Sequence, residues 1–355
     1  MSDPGIVDWA LAARIGGAIS GSEESATLPD DRVRTVSAEA LERAPAYTTL
    51  EPRSAIPPVE VVPRRAWIDV NLAALRELAA PIEARAASEI SLPWPLERVA
   101  RGAVGATAGA EAGAVLGYAS RRVLGQYQVS LGPEPKRPRM LLVGANLGEV
   151  AGQLAVDPER FLLWVTIHEQ THSIQFASVP WLRDHVAALV AELMESATGG
   201  VDFSALVAAA RRLAADDPRK ALRQAMRGEL TRVLAGPEQA ELFDRMQAVM
   251  AVIEGYAEHV MDAAAADDES LATMRERMNA RRARRGGLAD AIARMLGLGM
   301  KLRQYELGKA WSDAVVARAG ISGLDRVWEG PERLPSLAEL EAPDEWIDRV
   351  LRRSV

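Results

Sequence analysis

Two of the four histidines in this chain, His168 and His172, stand four residues apart in the run FLLWVTIHEQTHSIQF, with Glu169 directly after the first. Residues four apart share one face of a helix, so both imidazoles can reach a single metal ion. Three protein ligands would leave zinc a fourth position for water, whose pKa falls from about 15.7 to about 7 on binding. Glu169 then stands where a general base can orient and deprotonate that water and later return the proton. The competing reading is a pair of core histidines that happen to fall at helical spacing. No proline interrupts the run, so one continuous buried helix is expected.

A third ligand must come from elsewhere. The chain has no cysteine, which removes thiolate sites and disulfides and leaves His, Asp and Glu as the strong ligands. The stretch EGYAEHVMD (254–262) puts Glu254, Glu258 and Asp262 at i, i+4 and i+8 on an otherwise apolar helix. Stacked like charges there are costly unless a cation or a hydrogen-bond donor faces them. If Glu254 binds the metal, Glu258 can hydrogen-bond the far nitrogen of a histidine ligand; if Glu258 binds, Asp262 takes that supporting role. The plainer alternative is an acidic solvated face. In MKLRQYELG (300–308), Arg303 or Tyr305 could stabilise the oxyanion formed when water attacks a carbonyl, and Tyr305 is taken as the catalytic candidate. Tyr256 and His259 are lesser candidates. His185 reads as a packing or surface residue, since a catalytic zinc keeps one position open.

The elements that must position these groups are mostly helical. Apolar residues recur at helical spacing over 7–19, 33–43 and 67–87, and again over most of the chain after Val150. Gly105, Gly109, Gly113 and Gly117 fall four apart and form one smooth helix stripe, the mark of close backbone packing. VLGQYQVSL (123–131) and RMLLVGANL (139–147), separated by the turn-rich GPEPKRP, are the strand candidates and predict a hairpin. EPRSAIPPVEVVP (51–63) has four prolines and reads as an extended connector. The fold class expected is therefore mostly α with a small β-hairpin or sheet (α+β). An N-terminal helical segment and Pro-rich connector would span residues 1–60, and the main domain 61–355.

Whole-chain properties bound the partners. With 355 residues, 48% of them hydrophobic, there is ample material for a core. A net charge of -7 gives no general attraction to phosphate backbones or anionic lipid, so neither nucleic acid nor membrane is an expected partner. The basic run MRERMNARRARRGG (274–287) reads as a solvated helix end. GAVGATAGAEAGAVLGY (102–118) is too short to span a bilayer and carries Glu111. Asp3 and Asp8 stand where a secretory signal would be positive, so a cytoplasmic location is expected.

Together, HEQTH and EGYAE make the chain resemble the zincin metallopeptidases, in particular the gluzincins, whose second metal-binding helix carries a glutamate ligand. That resemblance puts the third ligand at Glu254 and a supporting carboxylate at Glu258, and makes residues 173–253 an insertion of helices that loop out and return. VDWALA, VLGQYQVSL, HEQTH, EGYAEHVMD, MKLRQYELGKAW and RVWEGPERLPSLAELEAPDEWI are similar to an actinobacterial family of zinc-dependent metalloprotease-like proteins, one branch of which is associated with deazaflavin coenzyme biosynthesis. The resemblance implies a zincin-like metallopeptidase fold, Zn2+ as cofactor and a peptide or amide substrate. It also implies an edge strand that holds the substrate beside the active-site helix, expected at residues 139–147. The alternative is a catalytically inactive zincin-scaffold binding protein, an accessory factor in deazaflavin coenzyme biosynthesis.

Overall fold

A computed structural model describes residues 7–21, 29–89, 94–132, 134, 136–198, 237–284 and 299–352. The chain divides into two units, one of Met1–Leu41 with Ile56–Ser173 and the other of Glu42–Ala55 with Ile174–Val355. It is mostly helical, with one small sheet, as the hydrophobic periodicity predicts.

The first unit contains α1 (Trp9–Ser20), the start of α2 (Asp30–Tyr47), α3 (Arg64–Glu89), α4 (Trp94–Ser120), α5 (Gly144–Leu154) and α6 (Pro158–Ser178) as far as Ser173. The glycine stripe lies on α4 and brings α1 to backbone contact. A Cβ on Gly109 would run into the Asp8 carbonyl and one on Gly113 into the Ala12 carbonyl, and one on Gly117 would come within 2.7 Å of Ile19 Cβ. Asp8 closes the joint by capping α1 at Leu11 N (2.8 Å) while its own N–H donates to the Gly105 carbonyl (2.8 Å). Trp67, Ile68 and Leu72 of α3 complete a core with Ala12, Leu116, Leu141 and Val143.

Three strands, β1 (Val59–Val62), β2 (Gly125–Gln128) and β3 (Arg139–Val143), form a sheet in the order β1-β3-β2. β2 and β3 make the expected antiparallel hairpin, and β1 pairs parallel to β3. Two readings are corrected here. The proline-rich stretch is not all connector, because its last residues supply β1; a Pro-flanked strand is tolerated at a sheet edge. β3 is central rather than an edge, and it ends at Val143 because residues 144–147 begin α5. Met140, Leu141, Leu142 and Val143 have no exposed surface, so β3 is covered on both faces. The outer edge on its hairpin side belongs to β2. Arg64, 4% exposed, donates through Nε to Asn146 Oδ1 (2.8 Å), and Asn146 Nδ2 reaches the carbonyls of Ser120 and Val123, which fixes the chain leading into β2.

The second unit contains the last residues of α6, then α7 (Leu182–Thr198), α8 (Pro237–Ala264), α9 (Glu269–Arg284), α10 (Gly299–Asp325) and two short helices, α11 (Leu337–Glu341) and α12 (Pro343–Ile347). The long interval between His172 and Ile253 is helical where described apart from a turn at residues 179–181, and residues 199–236 lie outside the described residues. α8 and α10 cross at two glycines: a Cβ on Gly255 would overlap the Gly308 backbone, and one on Gly308 the Ala251 carbonyl. Gly320, at φ 69°, bends α10 in a way L side chains resist, and Asp325 ends that helix. No helix among the described residues is long and apolar enough to cross a membrane.

The glycine contacts give a direct test. Gly113→Ala and Gly308→Ala must push backbones apart and should each lower unfolding free energy by about 1–3 kcal/mol. Gly152, inside α5, has open space around its Cβ position. Gly152→Ala should therefore stabilise by about 0.5–1 kcal/mol, read by thermal or chemical denaturation of all three variants.

Candidate metal and catalytic site

The site is built on α6. Pro158 opens the helix, and Asp157 Oδ1 accepts from the N–H groups of Glu159 (3.0 Å) and Arg160 (2.9 Å), which satisfies two of the donors a helix start leaves over. From Phe161 onward every residue of α6 is buried except His168 and Phe176, which are half-buried. Its polar side chains turn inward to partners: Thr166 Oγ1 to the Leu162 carbonyl, Thr171 Oγ1 to the Ile167 carbonyl, and Gln170 Nε2 to the Ser37 carbonyl. Gln175 Nε2 donates to the Ile253 carbonyl (3.1 Å), which holds the residue before Glu254 against the last turns of α6.

On this helix the rings of His168 and His172 meet edge to face, with centroids 4.7 Å apart and their Nε2 atoms 3.2 Å apart. Two unprotonated imidazole nitrogens at that distance repel unless a cation or a proton lies between them. His168, His172 and Glu254 each offer one ligand atom, and these atoms lie within 4.8 Å of one another. The set fits zinc. Tetrahedral bonds of about 2.0–2.1 Å place ligand atoms roughly 3.3 Å apart, close to the spacing of the two nitrogens, and two imidazoles with a carboxylate are a donor set that zinc accepts.

Glu169 is 7% exposed, yet its carboxylate is not stranded. Oε2 accepts the backbone N–H of Tyr127 on the outer edge of β2 (2.8 Å). The neighbouring Gly125 makes room for it: a Cβ there would lie 2.6 Å from Glu169 Cγ and 2.7 Å from Oε1. Tyr127 is itself half-buried, and desolvation pushes its phenol up to about 12, so it stays protonated. Sequence reasoning missed both residues as part of the site. The available signal was Gly125 inside a strand pattern, which marks close approach by another group.

The carboxylate row on α8 has mixed fates. Glu254 joins the histidines, and Glu258 lies one turn on, half-buried. Asp262 faces Lys309 Nζ (2.9 Å) and Arg275 (2.8 Å), so two cations answer its charge and the supporting role considered for it is not the one seen. Arg275 also gives the basic run one definite use. Tyr256 is fully buried and donates to Asp325 Oδ1 (2.7 Å); burial, then the Asp325 charge, holds its phenol well above the ordinary range. His259 lies between Tyr47 OH at Nε2 (2.9 Å) and Asp313 at Nδ1 (2.6 Å). These contacts tie residues 47–49 and α10 to α8, which makes Tyr256 and His259 fold-holding residues. His185 stacks edge to face on Trp181, and burial followed by the Arg245 charge lowers its pKa, so it behaves as a packing residue. The side chains of Arg303 and Tyr305 lie outside the described residues.

Gly125→Ala is the selective probe of the Glu169 cradle. The added methyl must displace the carboxylate while leaving the three ligand positions untouched. Turnover should drop by about tenfold or more with metal content and melting temperature nearly unchanged; unaltered turnover would mean that the cradle does not set the geometry of Glu169.

No curated protein matches the chain. A crystal structure from Chloroflexus aurantiacus, of a protein described only as a proposed hydrolase with a novel fold, is similar at 28% identity and a TM-score of 0.67, covering 97% of this chain and 98% of that one. The sequence profile of the zincin-like metallopeptidases matches residues 7–347, and so the chain that carries this histidine helix belongs to the zincin-like metallopeptidase family.

Proposed function

We propose that the protein is a zinc-dependent hydrolase of peptide or amide bonds, with His168, His172 and Glu254 as metal ligands. The observation that carries this reading is the approach of three ligand atoms within 4.8 Å, two of them from an H-E-x-x-H helix. Zinc bound there would polarise a carbonyl and bring the pKa of water near neutrality.

The remaining work falls to the chain. Glu169 is the proposed general base, taking a proton from water and passing it to the leaving nitrogen while its Oε2 accepts the Tyr127 N–H. The near-complete burial of Glu169 supports this role, since packing holds the carboxylate in one position. Glu258, one turn beyond Glu254, is the proposed carboxylate that orients a histidine ligand through its other nitrogen. Tyr305 is the proposed donor to the oxyanion. The outer edge of β2, rather than β3, is the proposed place for an extended substrate to pair, because it lies directly against Glu169.

Metal analysis by mass spectrometry tests the ligand set. Protein purified without added metal should carry one zinc per chain, and His172→Ala and Glu254→Ala should each lose it. Glu169→Gln should keep the zinc while peptide turnover falls by about 10²–10⁴-fold. Retained zinc in Glu254→Ala would move the third ligand elsewhere, and unchanged turnover in Glu169→Gln would remove the general-base role.

A further inference from the structure

The second unit carries a groove of about 790 Å³, within the usual range for ligand sites. Its walls are residues 49–53, the chain just past the end of α6, and residues 322–329. Hydrogen bonds tie these segments together. Arg53 N–H donates to the Ala177 carbonyl (2.8 Å), and Trp181 Nε1 to the Trp328 carbonyl (3.0 Å). Asp325 Oδ2 accepts both the N–H (2.9 Å) and the hydroxyl (2.6 Å) of Thr49. A groove braced in this way is preformed, which lowers the ordering cost of binding.

Its chemistry narrows the ligand. The charged lining is two arginines, Arg53 and Arg326, against three acids, Glu51, Asp325 and Glu329. A phosphate or nucleotide site needs a surplus of cations, so those ligands do not fit. Asp325 is taken up by hydroxyl and amide donors, and Arg326 pairs with Glu329, whereas Glu51 and Arg53 are exposed at the mouth and form no ion pair among the described residues. Trp181, Pro52 and Pro180 supply apolar surface between them. Ser178 is 8% exposed, and its hydroxyl has no hydrogen-bond partner among the described residues. Such a group is destabilising unless something else bonds it. Both signs of charge, aromatic and proline surface and an unmatched hydroxyl together suit a polypeptide.

Ser178 lies on the same α6 as the histidines, six residues beyond His172, which is about 9 Å along the axis and about 120° around it. A chain that also follows the helix round needs more than the roughly three extended residues that the axial rise alone would take.

We infer that this groove holds an extended segment of a peptide substrate, several residues from the bond to be cut, with a peptide carbonyl or side-chain acceptor taking the Ser178 hydroxyl and an acidic group taking Arg53. The inference rests on the hydrolase reading for its link to cleavage, but the binding itself needs no chemistry. It predicts that very short peptides are poor substrates, since they reach the metal ligands without reaching the groove.

The test uses full-length Glu169→Gln protein and fluorescein-labelled oxidised insulin B chain, an unstructured peptide, with binding read by fluorescence anisotropy. Adding Ser178→Ala and Arg53→Ala should weaken binding by about tenfold while leaving the melting temperature unchanged, because neither side chain holds the fold. In an otherwise wild-type background the same pair should raise KM for peptides of six or more residues and leave dipeptide amides unaffected. Equal affinity with and without the two substitutions overturns the groove, as does an absence of any binding by Glu169→Gln. If wild-type protein cleaves the peptide and the pair of substitutions changes nothing, the groove falls and the hydrolase reading stands. If nothing is cleaved but binding depends on Ser178 and Arg53, the groove stands and the hydrolase reading falls.

Discussion

Everything in this structure answers to the burial of α6. A helix that places Thr, His, Glu, Gln, Thr, His, Ser and Gln among its central residues has the composition of a surface helix, yet all but His168 in that stretch are buried. Each buried polar group costs about 1–3 kcal/mol if left without a partner. The surrounding elements are arranged to supply those partners: the Ser37 carbonyl for Gln170, the Ile253 carbonyl for Gln175 and the Tyr127 amide for Glu169. The two histidines face each other through Nε2, 3.2 Å apart on the same helix, so the packing that supplies these partners also sets the geometry of the candidate site.

Precision in meeting that requirement comes from glycine. At Gly125 the missing side chain admits a carboxylate; at Gly255 and Gly308 it admits another backbone; along α4 it admits α1. Backbone contacts of this kind are stiff, because no rotamer change can relieve or extend them, and packed interiors pass displacement on rather than absorb it. The position of Glu254 relative to α10 is therefore set by the α8 crossing one residue away, at Gly255. The likeness of EGYAE to a metal-binding element has two separate physical sources: the glutamate is a ligand candidate, and the glycine belongs to the helix crossing.

Periodicity in the chain made the helices, the glycine stripe, the hairpin and the histidine pair legible, because each depends on spacing within one segment. What stayed hidden depends on pairing between segments. The extended reading of residues 51–63 was right locally, but joining β1 to β3 takes a parallel partner some eighty residues away. β3 read as an edge for the same reason, since nothing inside residues 139–147 reveals a strand on its other side. Tyr127 enters the site through its backbone N–H, a group every residue but proline owns, so no side-chain pattern could announce it.

The row Glu254, Glu258 and Asp262 marks the limit of spacing as evidence. Three carboxylates on one helical stripe must each meet a positive group or a donor, and the pattern correctly demands that compensation. It does not say which kind. Asp262 meets Lys309 and Arg275, whereas Glu254, two turns back, comes to lie with two imidazoles. An ammonium and a guanidinium neutralise a carboxylate and end its chemistry; two imidazoles with a carboxylate make up a donor set suited to a divalent ion. The difference between an ion pair that braces the fold and a centre able to do chemistry therefore lies in what faces the acid. For Asp262 that is decided by α10, which the glycine crossing holds against α8 so that Lys309 comes within reach.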